Sequence, residues 1–301
     1  MTISPIALFV YNRPKHTLAT LEALAANHLA KESDLTIFCD GAKTAENQLA
    51  VNQVRDICRK AKGFKNINLV EHSQNIGLAN NIIGGISKIL ETHETVICLE
   101  DDLVTAPGFL DYMNRALEFY QGKNIFSISG YTPPIDIPGD YPYSTYSVMR
   151  NSSWGWATWR SQWEATDWGV AGFEAFMASK NQRKAFEAAG NDTVMMLLKQ
   201  QQQKIHSWSI RFNFSGFLAG QPTIYPVKSL VENRGIDGSG TNMRKSGKYH
   251  TSTVEKIDTL NFLPNNQVDP LIAQRFKRFY NTSLYRRLIN LMKIKRYLLS
   301  K

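Results

Sequence analysis

The sequence lacks what a disulfide scaffold, a membrane span or a glycine-rich phosphate loop would need. Its cysteines are only Cys39, Cys58 and Cys98, an odd number at spacings that fit no zinc pattern. Two lie in apolar, strand-like runs, where a free thiol is an ordinary core side chain. The expectation is a reducing compartment, the cytoplasm. No apolar run approaches the ~18 residues of a membrane-spanning helix. The N-terminus shows no basic stretch and no small-residue cleavage site, so no signal peptide is expected. Glycine is missing after the first apolar run, where the chain reads Tyr11-Asn12-Arg13-Pro14. Acidic residues are missing from positions 271–301, which carry nine Lys and Arg. Of 35 basic and 26 acidic side chains, 26 of each therefore remain in residues 1–270. The body is neutral, the net charge of +9 belongs to the tail, and a basic pI does not imply a nucleic-acid groove.

What is present is an alternation. Short β-rich apolar runs at 6–11, 34–40, 67–72 and 95–100 are separated by helical segments at 15–27, 46–63 and 78–93. Leucines at 18, 21 and 24 space the first helix, and Gly84 and Gly85 weaken the third. Such alternation predicts an α/β, Rossmann-like fold, a mostly parallel sheet flanked by helices. Ligands of such sheets bind beyond the carboxyl ends of the strands. Tyr11-Asn12-Arg13, Asp40, His72 and the acids at 100–102 all lie at such ends. After Asp102 the texture changes. A helix is expected at 106–121, a strand at 125–131 and a Pro/Gly/Tyr loop to 146. Five of the six tryptophans follow within 154–168, then a helix through 203 and a late strand at 223–233.

Glu100, Asp101 and Asp102 close the fourth strand. Adjacent carboxylates repel, and burying them is costly unless positive charge meets them. They read either as a solvated acidic turn or as a cation site. Carboxylate oxygens suit Mg2+ or Mn2+, whose shell is completed by substrate phosphates. The apolar strand before the triplet and the polar ends of three other strands favour the cation site.

The segment LEDDLVTAPGFLDYM (99–113) resembles the metal-binding motif of N-acetylglucosaminyltransferase I and related bacterial sugar transferases of the GT-A fold. The resemblance extends from residue 6 to about residue 243. It implies a nucleotide-sugar half at 1–102 and an acceptor half at 103–250, then a linker and basic amphipathic tail at 251–301. It implies that Asp102 holds the metal under a nucleotide diphosphate, with Glu100 and Asp101 on the donor sugar and ribose. Arg13 would face the diphosphate, and Asp40 would accept a hydrogen bond from uracil. Asn75 matches a loop whose small residues let backbone approach the nucleotide. Read alone, Arg13 is a loop arginine in a surface ion pair, and Asp40 and Asn75 are turn residues.

Five tryptophans in 15 residues cannot all fill one small core, and sugars offer apolar C–H faces to aromatic rings. SSWGWATWRSQWE (152–164) resembles the family's Gly-Trp segment, which assigns Trp154 or Trp156 to the substrate cleft. Hydrophobic packing is the reading for Trp159, Trp163 and Trp168. An inverting sugar transfer needs a base for the acceptor hydroxyl. N-acetylglucosaminyltransferase I has Asp-Asp-Trp there and its bacterial relatives Asp-Ser-Trp, whereas this chain has His206-Ser207-Trp208. His206 is the candidate base, since imidazole accepts a proton near neutral pH, and Asp192 is the reserve. Their plain readings are a surface histidine and a helix N-cap. Glycines at 235, 238 and 240 make 233–242 a mobile loop. It resembles the family loop that orders over the donor, with Arg234 on phosphate.

The tail interleaves basic and apolar residues, as a helix on an anionic membrane surface does. A helix packed on the core is the alternative. These readings predict a metal-dependent (Mn2+ or Mg2+) inverting glycosyltransferase. It would move a hexosyl or N-acetylhexosaminyl unit from a nucleotide-sugar, UDP being expected, to a hydroxyl of a glycan or lipid-linked acceptor. The setting would be polysaccharide or glycolipid synthesis at the inner face of the cytoplasmic membrane. A nucleotidyltransferase on a similar sheet is the first competitor, and the missing glycine-rich loop disfavours it. A non-catalytic carbohydrate-binding or membrane scaffold would explain the tryptophans and tail but not the acids. No nucleic-acid partner is expected, because the body carries no recognised binding module.

Overall fold

The computed structural model describes residues 2–238, 247–251, 253, 257 and 259–300. Four strands open the chain: β1 (Ile6–Val10), β2 (Asp34–Cys39), β3 (Asn66–Glu71) and β4 (Thr95–Glu100). Between them lie α1 (Pro14–Ala25), α2 (Gln48–Arg59) and α3 (Leu78–Leu90). The strands pair in parallel in the order β3-β2-β1-β4. Their side chains alternate between two cores. Ile6, Leu8, Val10, Leu35, Ile37, Ile97 and Leu99 belong to one. Ala7, Phe9, Phe38, Val96 and Cys98 belong to the other. After the short β5 (Leu103–Thr105) comes α4 (Phe109–Tyr120). Leu21 and Leu24 of α1, Val54 of α2 and Leu110 of α4 cover the first face, and Ile82 and Ile86 of α3 cover the second. Strands covered on both faces read as continuous apolar runs, which is why β1, β2 and β4 were visible in the sequence; β3, at the sheet edge, is only partly covered. Gly85 has a packing role: a Cβ there would lie 2.8 Å from the Phe9 ring. Without one, α3 settles on the stacked Phe9–Phe38 pair.

The second half extends the same sheet with β6 (Ser127–Ser129), β7 (Thr145–Val148), β8 (Trp156–Trp159) and β9 (Thr223–Pro226). The order continues β4-β8-β6-β9-β7 with mixed directions. β8 is antiparallel to β4, with Thr95 opposite Trp159 and Cys98 opposite Trp156. The residues just before Trp156 therefore emerge at the edge where Glu100 ends β4. The late strand expected at 223–233 is two strands. The first ends at Pro226, and β10 (Val231–Asn233) leaves the sheet to pair with β5 in a separate antiparallel ribbon.

The helical region is also more divided than expected. It comprises α5 (Arg160–Glu164), α6 (Phe173–Ala178), α7 (Lys180–Phe186), α8 (Thr193–Gln201) and α9 (Trp208–Ala219). The Ser207 hydroxyl caps α9 by accepting from the Ile210 N–H, and Trp208 and Phe212 carry α9 onto the α3 face. The tail forms α10 (Pro270–Tyr280) and α11 (Leu284–Leu299). Ile272 and Phe276 of α10 are fully buried against Tyr146 and Tyr225. Phe262 packs on Phe119 and Tyr120 at the end of α4.

Candidate functional site

The parallel strands release their C-terminal ends along one edge. Alternation sends Glu100 to the face of Val96 and Cys98, and turns Asp101 the other way. Asp101 is 3% exposed. Its carboxylate pairs with the Arg13 guanidinium and accepts the Tyr11 N–H at 3.4 Å. Its carbonyl accepts from the Thr20 hydroxyl of α1 at 2.8 Å. Arg13 Nη2 also lies 2.9 Å from Asp102 Oδ2. Arg13 is held where β1 turns into α1, with Pro14 in the first helical turn. Two of the three acids thus converge on one cationic side chain.

Burial raises the Glu100 carboxyl to about 8; repulsion from Asp102 and Asp101 adds to this and Arg13 opposes it. Burial also lifts Asp101, against the pull of Arg13. For Arg13, burial disfavours charge, but the two carboxylates outweigh it and push the guanidinium further up. Arg13 Nη1 is buried and has no hydrogen-bond partner among the described residues.

The β5–β10 ribbon brings residues 234–238 over this corner. The Arg234 N–H donates to the Asp102 carbonyl at 2.8 Å, and His16 Nε2 lies 3.3 Å from Asp237 Oδ2. A Cβ on Gly235 would fall 2.0 Å from Asp102 Oδ2 and 3.0 Å from Arg13 Nη1. Only glycine permits that approach. The Arg234 side chain is half exposed and sits 3.4 Å from Glu232. Positions 239–242 of the expected loop lie outside the described residues.

Asp40 follows the end of β2 and is buried. Its Oδ1 accepts from the Gly41 and Ile76 N–H groups at 2.8 and 2.9 Å. Its Oδ2 accepts from Asn75 Nδ2 and the Gly77 N–H, both at 3.0 Å. Four donors use its four lone-pair directions, so the carboxylate anchors the 75–77 loop and keeps no acceptor for a base. Asn75 Nδ2 also reaches the Gly41 carbonyl at 2.9 Å.

The two candidate tryptophans separate. Trp156 is 1% exposed and stacks on Trp208 with centroids 4.8 Å apart. It is a core ring with no face open to a sugar. Trp154 is partly exposed and stands edge-on to Tyr131 at 4.5 Å and Tyr249 at 5.6 Å.

His206 is exposed in the turn between α8 and α9. Asp192 occupies the N-cap position of α8 but makes no side-chain cap bond. It pairs bidentately with Arg150 instead, at 2.7 and 2.9 Å. Burial disfavours its charge, yet Arg150 outweighs burial and holds the carboxyl below its usual range. A carboxylate so held is a weak base. Tyr280 covers the Arg150 guanidinium at 4.0 Å. Sequence reasoning missed Arg150, Tyr131 and Tyr280, whose partners lie tens of residues away and leave no local pattern.

Among the described residues no three His, Cys, Asp or Glu side chains form a metal cluster. Asp102, which is partly exposed, still offers hard oxygens, with the buried Asp101 beside it. Such a set fits a Mg2+ or Mn2+ ion that takes one or two carboxylates and completes its shell with phosphate and water.

No protein-family model and no curated protein matches the chain. Solved structures similar to it include the mannosyltransferase PcManGT from Pyrobaculum calidifontis in complex with GDP-Man and Mn2+. It is 15% identical, with a TM-score of 0.36 over 62% of this chain and 53% of that one. S. aureus TarS is 11% identical, with a TM-score of 0.38 over 75% of this chain and 36% of that one. A UDP-glucose pyrophosphorylase complexed with UDP-glucose is 12% identical, with a TM-score of 0.38 over 74% and 90%. The chain thus spans about half of the first structure and about a third of the second. Likeness at this level leaves the activity to be read from the chemistry of the site.

Proposed function

We propose that the chain is a metal-dependent, inverting glycosyltransferase acting on a nucleotide-sugar. The observation that carries this reading is the pairing of Arg13 with Asp101 and Asp102 at the carboxyl ends of parallel strands. Asp102, with Asp101 beside it, would hold Mn2+ or Mg2+, an ion that neutralises a diphosphate leaving group. The unpartnered Arg13 Nη1 is a donor suited to a phosphate oxygen. Asp40 shapes the 75–77 loop for the backbone to approach the nucleotide. Glu100, at the end of β4 beside Asp101 and Asp102, would contact the donor sugar. Arg234 and Gly235 close the edge and exclude water from the donor.

Trp154, Tyr131 and Tyr249 form an aromatic wall for the acceptor, a glycan or a lipid-linked sugar. His206 takes the acceptor proton in this scheme, because Arg150 holds Asp192. A lipid-linked acceptor would place the enzyme at the inner face of the cytoplasmic membrane, in contact through its tail. Incubation with a panel of nucleotide-sugars and Mn2+ tests the reading. Slow release of nucleoside diphosphate that Asp102→Asn abolishes supports it. An unchanged rate removes Asp102 from the site, and formation of nucleoside triphosphate and sugar 1-phosphate on adding pyrophosphate would identify a nucleotidyltransferase.

A further inference from the structure

Helix α11 shows two contrasting faces. On one, Asn290 and Ile294 are buried, and Tyr297 and Leu298 pack on the cluster formed by α6 to α9. The Tyr297 hydroxyl donates to Glu174 Oε1 at 2.7 Å. On the other, Leu284, Tyr285, Leu288, Leu291, Met292 and Leu299 are 51–79% exposed. At about 100° per residue these six fall within a stripe roughly 120° wide. Lys295 lies inside the stripe, Arg287 borders one side and Arg296 the other, and Lys293 lies about 80° beyond Arg296's side of the stripe. All four are exposed.

The helix is also rigidly mounted. α10 is bolted into the core by Ile272 and Phe276. The junction between α10 and α11 is clamped to Asn191. The Asn191 N–H donates to Asn281 Oδ1 at 3.2 Å, and the Thr282 N–H donates to Asn191 Oδ1 at 2.8 Å. Asn191 adjoins Asp192, whose partner Arg150 lies under Tyr280. Tyr280 meets Tyr249, which meets Trp154. The stripe therefore begins at the end of the molecule that carries the proposed acceptor wall.

We propose that this stripe docks the protein on an anionic lipid bilayer, with α11 lying in the plane of the interface. An exposed apolar stripe flanked by basic residues is what such an interface selects. No described helix is long and apolar enough to cross a membrane, so α11 lies on the bilayer. A second copy of the chain is a poor occupant. Self-pairing would set Arg287, Lys295 and Arg296 against their own kind, and positions 271–301 hold no acid to balance them. Docking also puts the acceptor wall near the lipid surface. That consequence, a lipid-linked acceptor, rests on the transferase reading; the docking does not.

The test is co-sedimentation of the full chain with vesicles of phosphatidylcholine alone or with about 30 mol% phosphatidylserine. Binding is expected only with phosphatidylserine and should weaken from ~0.1 to ~0.5 M salt. The double substitution Leu288→Glu and Leu291→Glu should lower binding about tenfold or more with an unchanged melting temperature. Arg287→Gln with Arg296→Gln should weaken both the binding and its salt dependence. The proposal is overturned by equal binding to both vesicles, by no binding to either, or by full binding of the double Glu variant. A solution dimer that the double Glu variant dissolves would also overturn it. Nucleoside diphosphate release from soluble nucleotide-sugar by the same preparations reports the active-site reading separately.

Discussion

Arg13 Nη2 lies 2.9 Å from Asp102 Oδ2, and the same guanidinium holds Asp101. One side chain from the turn after β1 thus ties down two acids at the end of β4. The side chains of Arg13, Asp101 and Asp102 are 18%, 5% and 13% exposed, so losing the cation leaves poorly solvated charge behind. Arg13→Met should cost about 2–4 kcal/mol in urea unfolding and abolish nucleoside diphosphate binding. Manganese should recover part of the lost stability, because an ion that binds only the folded state stabilises it.

Gly235 leaves no room for a side chain. Gly235→Ala should displace Asp102 at a cost of about 1–3 kcal/mol in stability. Calorimetry should show a larger loss in Mn2+-dependent nucleotide affinity than in nucleotide affinity without metal. Equal losses would mean that the contact is only structural.

Trp154 and Trp156 should respond in opposite ways. Trp156→Ala empties a core position and should cost about 3–5 kcal/mol. Trp154→Ala should cost about 1–2 kcal/mol and raise the acceptor KM while leaving donor hydrolysis unchanged. Steady-state kinetics with and without acceptor distinguish the two.

Asp192 carries a worked pH dependence. Its carboxyl lies below the ordinary value in the folded state, so the unfolded chain binds more protons. The stabilisation is present above the unfolded value near 3.9 and is lost as pH falls through the lower folded value. Asp192→Asn strands Arg150 and should cost about 2–3 kcal/mol at neutral pH. Below about pH 4 the gap from the natural protein should close. Thermal melts from pH 7 to pH 2.5 check this.

The chain shows which features sequence can carry. β1, β2 and β4 were legible because both their faces are covered, which leaves nearly uninterrupted apolar runs, and the partly exposed edge strand β3 showed as Ile67, Leu69 and Val70 between polar residues. The acids at 100–102 stood out because they end such a run. β5 has three residues and β8 four, too few for an alternation to show, and the break between β9 and β10 was hidden inside one expected strand. Trp154 and Trp156 looked equivalent, yet Gly155 at φ +60° turns the chain between them, so only Trp156 enters the strand. The parallel-edge argument brought Arg13 near the acids. Nothing comparable announced the pairing of Arg150 with Asp192, where two isolated charges meet 42 positions apart.

The most direct measurement is a crystal soaked with uridine diphosphate and manganese and recorded at a wavelength where manganese scatters anomalously. The expected result is an anomalous peak in contact with the Asp102 carboxylate and the diphosphate, with Arg13 turned onto a phosphate oxygen. A nucleotide bound elsewhere, or manganese away from the end of β4, would contradict the proposed chemistry.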